Sequence, residues 1–191
     1  MLRGRRPGLD VRVGYLDHGP PYVEDVADAV AVPLLLSSGY HVRVDLPRAA
    51  PRARIGAAVG PDPRLSVALA DRLTEAGYDG RTPVTLVAAG SADPGAIDDV
   101  RRQAAMLAAH LDVEVSAAFV SAGEPLLRDL APPVVSSCLL APGVFHHAAI
   151  ASGAEIVSAP LGNHPALADV VFDRYGKAKR PHPPVEERGE G

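Results

Sequence analysis

The stretch V-P-L-L-L-S-S-G-Y-H-V-R-V-D-L-P, residues 32–47, decides how the rest of the chain is read. Residues 31–36 form an apolar run without polar alternation, which predicts a strand buried on both faces. The run stops at Ser37, Ser38 and Gly39, small residues that let the backbone turn tightly and approach a ligand. His41 follows just past the carboxyl end of that strand, where open parallel sheets place their ligand crevices. Imidazole is the side chain best suited to moving protons or holding a transition metal near neutral pH. A lone histidine in a loop is more often a solvated surface residue; the rest of the chain shifts that balance.

Working outward, residues 11–16 predict a strand and 21–30 a helix with Val23, Val26 and Val30 on one face. A Pro- and Arg-rich connection leads to a strand over 55–59 and a helix over 62–77, with Gly77 as its stop. Residues 78–83 read as a linker, after which the pattern restarts. Strands are expected over 84–88, 113–120, 134–140 and 155–159, and helices over 94–111, 125–130 and 164–174, with a helical turn at 148–151. Strands alternating with helices predict an α/β fold with parallel sheets. From residue 176 onward Lys, Pro, Glu and Gly dominate, and a disordered tail over 176–191 is expected.

The restart is a repeat. A shift of 104 lays residues 14–27 on 118–131 without a gap, with Gly19 on Gly123 and Pro21 on Pro125. The same shift lays Leu35, Leu36 and Gly39 on Leu139, Leu140 and Gly143, and a shift of 102 lays Gly60 and Pro63 on Gly162 and Pro165. A shared register with matching Gly and Pro positions predicts two copies of one unit, about residues 1–80 and 83–175. The copies differ where chemistry would sit: His41 falls opposite Phe145, and Asp17 opposite Ser121. A structural requirement is met in both copies, whereas a catalytic one need be met in only one. Asp17 and His41 are therefore the candidate functional pair.

The composition excludes several classes of function. With 19 Lys and Arg against 23 Asp and Glu and no sustained basic cluster, nucleic acid is not an expected partner. No apolar stretch reaches the roughly 18 residues a membrane span needs. There is no P-loop and no G-x-G-x-x-G, so neither ATP nor a dinucleotide is indicated. Cys138 is the single cysteine, which fits a reducing cytoplasm and reads as a buried inert thiol. His18 adjoins Asp17 as a candidate auxiliary ligand; His146 and His147 are adjacent and so point in different directions; His110, His164 and His182 read as surface residues.

At these residues the sequence resembles the sirohydrochlorin chelatases, small class II chelatases that insert iron or cobalt into sirohydrochlorin for sirohaem or cobalamin synthesis. The family pattern has an early H-G-S/T-R-x-P, an acidic residue after a G-F-L-type strand, and then P-L-F-L-x-x-G-x-H-x-x-x-D-I-P. G-Y-L-D at 14–17 and P-L-L-L-S-S-G-Y-H-V-R-V-D-L-P at 33–47 match the second and third parts. A-A-G-S-A-D-P at 88–94 resembles the degenerate second copy of two-lobe members, with Ala89 in the histidine position. The chain departs at Asp17, where the family usually has Glu, and at the first motif, which it lacks. The resemblance implies two chelatase-like lobes, each a parallel sheet flanked by helices, the first incomplete at its N-terminus.

It further implies a lyase-class metal chelatase of the cytoplasm, with sirohydrochlorin and a divalent Fe2+ or Co2+ as substrates and no tightly bound cofactor. On that implication His41 is the metal-presenting group and base and Asp17 its acidic partner, both touching the metal. Ser38, Gly39 and Tyr40 shape the substrate cleft, and Arg43 or the arginines near 48–54 meet the substrate's carboxylates. A second copy of the chain is the other candidate partner. The alternative is a chelatase-like protein that binds tetrapyrrole or metal without insertion, or an inactive truncated form.

Overall fold

The computed structural model describes residues 1–17, 19–26 and 29–180 of the chain. Its elements are α1 (Leu2–Arg5), β1 (Val30–Ala31), a turn of π-helix (His41–Asp45) running into α2 (Leu46–Ala49), and β2 (Arg54–Ile55). They continue with α3 (Pro63–Glu75), β3 (Val84–Gly90), α4 (Pro94–Leu111), β4 (Val115–Ala122) and β5 (Val134–Ser137). The last are α5 (Val144–Ile150), β6 (Ile156–Val157) and α6 (Pro165–Lys179). Strands pair in parallel throughout, β1 with β2 in one sheet and β4-β3-β5-β6 in the other, so the fold is α/β with parallel sheets flanked by helices.

The repeat seen in the sequence is present in the backbone register. Val30 pairs with Arg54 and Ala31 with Ile55, just as Val134 pairs with Ile156 and Val135 with Val157. Those pairs are related by the same shifts of 104 and 102. The lone bridge Tyr15–Tyr22 maps by 104 onto Phe119–Leu126, and Gly19 and Gly123 take the same positive φ, 117° and 110°. That conformation needs glycine at both positions.

Packing does not respect the linker at 78–83. The amphipathic α3, capped by Asp62 and buried through Leu65, Leu69 and Leu73, packs against α4, α6 and β5. The helix α6 in turn packs on β1 and β2 as well as α3. One core therefore spans both copies, with Val59 and Leu65 beside Leu86, Leu107, Phe119 and Leu161. Each copy covers its sheet partly with a helix of the other.

Several expectations for the first copy need correction. Residues 11–16 form no strand beyond the bridge at Tyr15, and Val13 and Tyr15 stay half exposed. The apolar run at 31–36 contributes only Ala31 to a strand, and Leu34 is 46% exposed. The pairing supplies the reason: β5 also pairs with β6 over only two residues and reaches Ser137 through its other neighbour, β3, whereas β1 pairs with β2 alone among the described residues. Of the helix expected over 21–30, the described residues show a 3-10 turn, Val23–Val26, and Val30 in β1, while residues 27 and 28 lie outside the described residues. At the other end, α6 continues to Lys179, so residues 176–179 are helical rather than tail, and Lys177 Nζ donates to Asp173 Oδ2 one turn earlier at 2.9 Å. Residues 181–191 and His18 lie outside the described residues.

Candidate functional site

The segment that carries His41 is fixed from two sides. Gly60 N–H donates to Leu35 O at 3.2 Å, and a Cβ on Gly60 would lie 2.2 Å from Leu36 O, so only glycine lets the two strands of chain approach this closely. Ser38 N–H donates to Asp99 Oδ2 on α4 at 2.7 Å. Gly39 lies against the start of α4, where a Cβ would stand 3.4 Å from Ala96 Cβ. From there the chain winds up at once, with Val42 N–H and Arg43 N–H donating to Gly39 O at 3.1 and 3.2 Å.

That winding brings His41 and Asp45 together: Nδ1 and Oδ2 are 2.7 Å apart. The His41 side chain is 60% exposed and that of Asp45 33%. A carboxylate accepts, so Nδ1 carries the proton and Nε2 keeps its lone pair in the neutral ring. Asp45 also lines a hollow of about 340 Å3 with Leu16, Asp17, Arg48 and Ala49. The structure thus gathers Asp17, Asp45 and Arg48 around one hollow, with His41 attached to it through Asp45. Among the described residues no group of three or more His, Cys, Asp or Glu side chains could hold a metal ion.

The other expected residues fall around this pair. The Tyr40 ring stands edge-on to the His41 ring, with centroids 6.4 Å apart. Arg43 forms an ion pair with Asp93, the residue that caps α4 by accepting from Gly95 N–H. Its guanidinium is therefore already matched with a carboxylate. Arg48 is exposed at the hollow and makes no side-chain hydrogen bond or ion pair among the described residues.

Two residues were not found by sequence reasoning. Asp45 falls opposite Ala149 under the shift of 104, the same asymmetry that singled out Asp17 and His41, so the signal was there. Asp99 carried none. The histidine His164, expected at the surface, is largely buried: Nδ1 accepts from Ala166 N–H to cap α6, and Nε2 lies 3.0 Å from Asp71 Oδ2. Cys138 is buried as expected, and burial pushes its thiol up to about 12. The second copy has its own hollow of about 470 Å3, which includes Ser91, Asp98, Arg101, Ser121 and Gly123 and has no histidine in its lining.

Residues 1–76 match the family model described as CbiX. The fold is similar to that of SirB from Bacillus subtilis with Fe3+, at 24% identity and a TM-score of 0.73, over 93% of this chain and 86% of that one. It is similar too to the sirohydrochlorin chelatase SirB from Bacillus subtilis subspecies spizizenii in complex with cobalt, at 23% identity and a TM-score of 0.72, over 93% and 85% of the two chains. A third similar structure is CbiX, the terminal enzyme for biosynthesis of sirohaem in denitrifying bacteria, at 25% identity and a TM-score of 0.64, over 85% and 81%. No curated protein sequence matches.

Proposed function

We propose that this chain, whose first 76 residues match the CbiX family model, is a metal chelatase that inserts divalent iron or cobalt into sirohydrochlorin. The observation that carries the reading is the His41–Asp45 pair beside Asp17, inside the matched segment. The likeness to structures that hold Fe3+ or cobalt supports the metal class.

Insertion replaces two pyrrole N–H bonds by bonds to the metal, so two protons must leave as the dication enters. Nε2 of His41 offers a nitrogen lone pair suited to borderline divalent metals. Once the metal passes to the macrocycle, that lone pair is free to take the first proton. Asp45, accepting from Nδ1–H, orients the ring and stabilises the imidazolium that results. Asp17 adds negative charge for the incoming dication and takes the second proton, passing it to water from its exposed position.

For the substrate's own carboxylates we favour Arg48 over Arg43, because Arg43 is paired with Asp93 whereas Arg48 faces the hollow with no ion-pair partner among the described residues. Ser38, Gly39 and Tyr40 form the wall beside His41. The expected result is a metallated product, followed by absorbance, when purified protein is mixed anaerobically with sirohydrochlorin and Co2+ or Fe2+. Binding of metal or tetrapyrrole with no product above the uncatalysed rate would favour the non-catalytic reading.

A further inference from the structure

The cap and first turns of α4 hold the His41 segment. Asp93, Ala96, Asp99 and Gln103 follow at steps of three, three and four, which places them on one face of a helix. Asp93 pairs with Arg43, Ala96 backs Gly39, and Asp99 accepts from Ser38 N–H. Gln103 accepts from Asp62 N–H at 3.0 Å and donates to Ser66 Oγ at 2.9 Å, tying the same face to the start of α3. Asp99 is the unusual member, because it is 3% exposed in the middle of a helix. A buried carboxylate is costly unless its oxygens are matched. Oδ2 meets the Ser38 amide and Oδ1 meets the guanidinium of Arg102, whose own side chain lies mostly in solvent. An apolar residue would fill the space without that cost, but it could not hold the amide.

We infer that Asp99 is a positioning residue for His41, anchoring Ser38 so that the imidazole is presented in one place. The inference rests on the reading of His41 as the catalytic histidine. Asp99 is 61 residues away in sequence and touches neither the imidazole nor the hollow. Its effect passes through the backbone of Ser38 and Gly39 into the turn that starts at His41. Displacements of about 1 Å at such a centre cost on the order of 100-fold in rate.

The test compares Asp99→Ala with Asp99→Asn in the full chain. Asparagine keeps an oxygen for the Ser38 amide, while alanine removes it. In Asp99→Ala, kcat is expected to fall roughly 10- to 100-fold with KM for sirohydrochlorin little changed. The nitrogen-15 resonances of the His41 ring should move, and Asp99→Asn should recover most of both effects. Asp99→Leu, which fills the space but offers no oxygen to the Ser38 amide, decides the matter if Asp99→Ala does not fold, and should move the same resonances. Unchanged His41 resonances in the folded variants, or an Asp99→Asn protein as impaired as Asp99→Ala, would overturn the inference. If the unaltered chain inserts no metal, the chelatase reading fails, while the His41 resonances still decide whether Asp99 places the ring.

Discussion

Asp45 Oδ2 lies 2.7 Å from His41 Nδ1, four residues on in the same turn, and so decides which ring nitrogen stays open. The contact costs little to form because both side chains issue from one continuous helical turn. Asp45→Ala is expected to lower the insertion rate roughly 10- to 100-fold, the usual effect of removing a carboxylate behind a ligating histidine. Asp45→Asn should fall between the two, since its carbonyl still accepts from Nδ1–H but brings no charge. A steady-state comparison of the three proteins at equal metal concentration checks this.

Arg48 and Arg43 separate by kinetics. If Arg48 meets a substrate carboxylate, Arg48→Ala raises KM for sirohydrochlorin and weakens its salt dependence while kcat holds. Arg43→Ala, which frees Asp93, is expected to lower kcat instead. Equal and opposite assignments in the measured constants would exchange the two roles.

Acid stability has a local origin in Asp62. Burial pushes this carboxyl up, but hydrogen bonds from Arg64 and the charges of Arg64 and Arg174 outweigh it and hold it below the usual 3.8. A carboxyl depressed on folding adds stability that is present above its unfolded pKa and lost as pH falls through its folded one. Unfolding by urea should therefore show stability dropping below about pH 4, and less steeply in Asp62→Asn. Asp62→Ala, which also loses the α3 cap, should cost about 2–3 kcal/mol at pH 7.

Cys138 should be inert in the native protein. It is buried on the core side of the sheet and its thiol is held up near 12, so almost no thiolate exists at pH 8. An aromatic disulfide reagent is expected to react only at the rate of global unfolding, and at once in denaturant.

The order of elements in the second copy was legible, though the helix expected over 125–130 is a 3-10 turn at Leu127–Asp129 and the turn expected at 148–151 is the helix Val144–Ile150. The strands expected over 134–140 and 155–159 are shorter, Val134–Ser137 and Ile156–Val157. The first copy was less legible. Helix α4 begins at Pro94 and ends at Leu111 as read, because Asp93-Pro94 caps it and its apolar residues recur at helical spacing. Strands need neighbours: residues 11–16 have no ladder among the described residues, and the next strand, with β2 as its one neighbour among them, ends at Ala31. At the site, Gly39 and His41 were singled out from the sequence, whereas Asp45 was missed although its replacement by Ala149 in the second copy carried the signal. Asp93 and Asp99 were not, since an acidic residue on an amphipathic helix looks solvated until the segment it grips, 50 and 61 residues away, is in view.

The most direct measurement is single-turnover cobalt insertion into sirohydrochlorin by the unaltered chain and by His41→Ala, each shown to be folded by its melting curve. The account predicts a metallated product from the first, formed well above the uncatalysed rate, and a loss of two or more orders of magnitude in the second at similar melting temperature. Insertion by folded His41→Ala at the rate of the unaltered chain would contradict it.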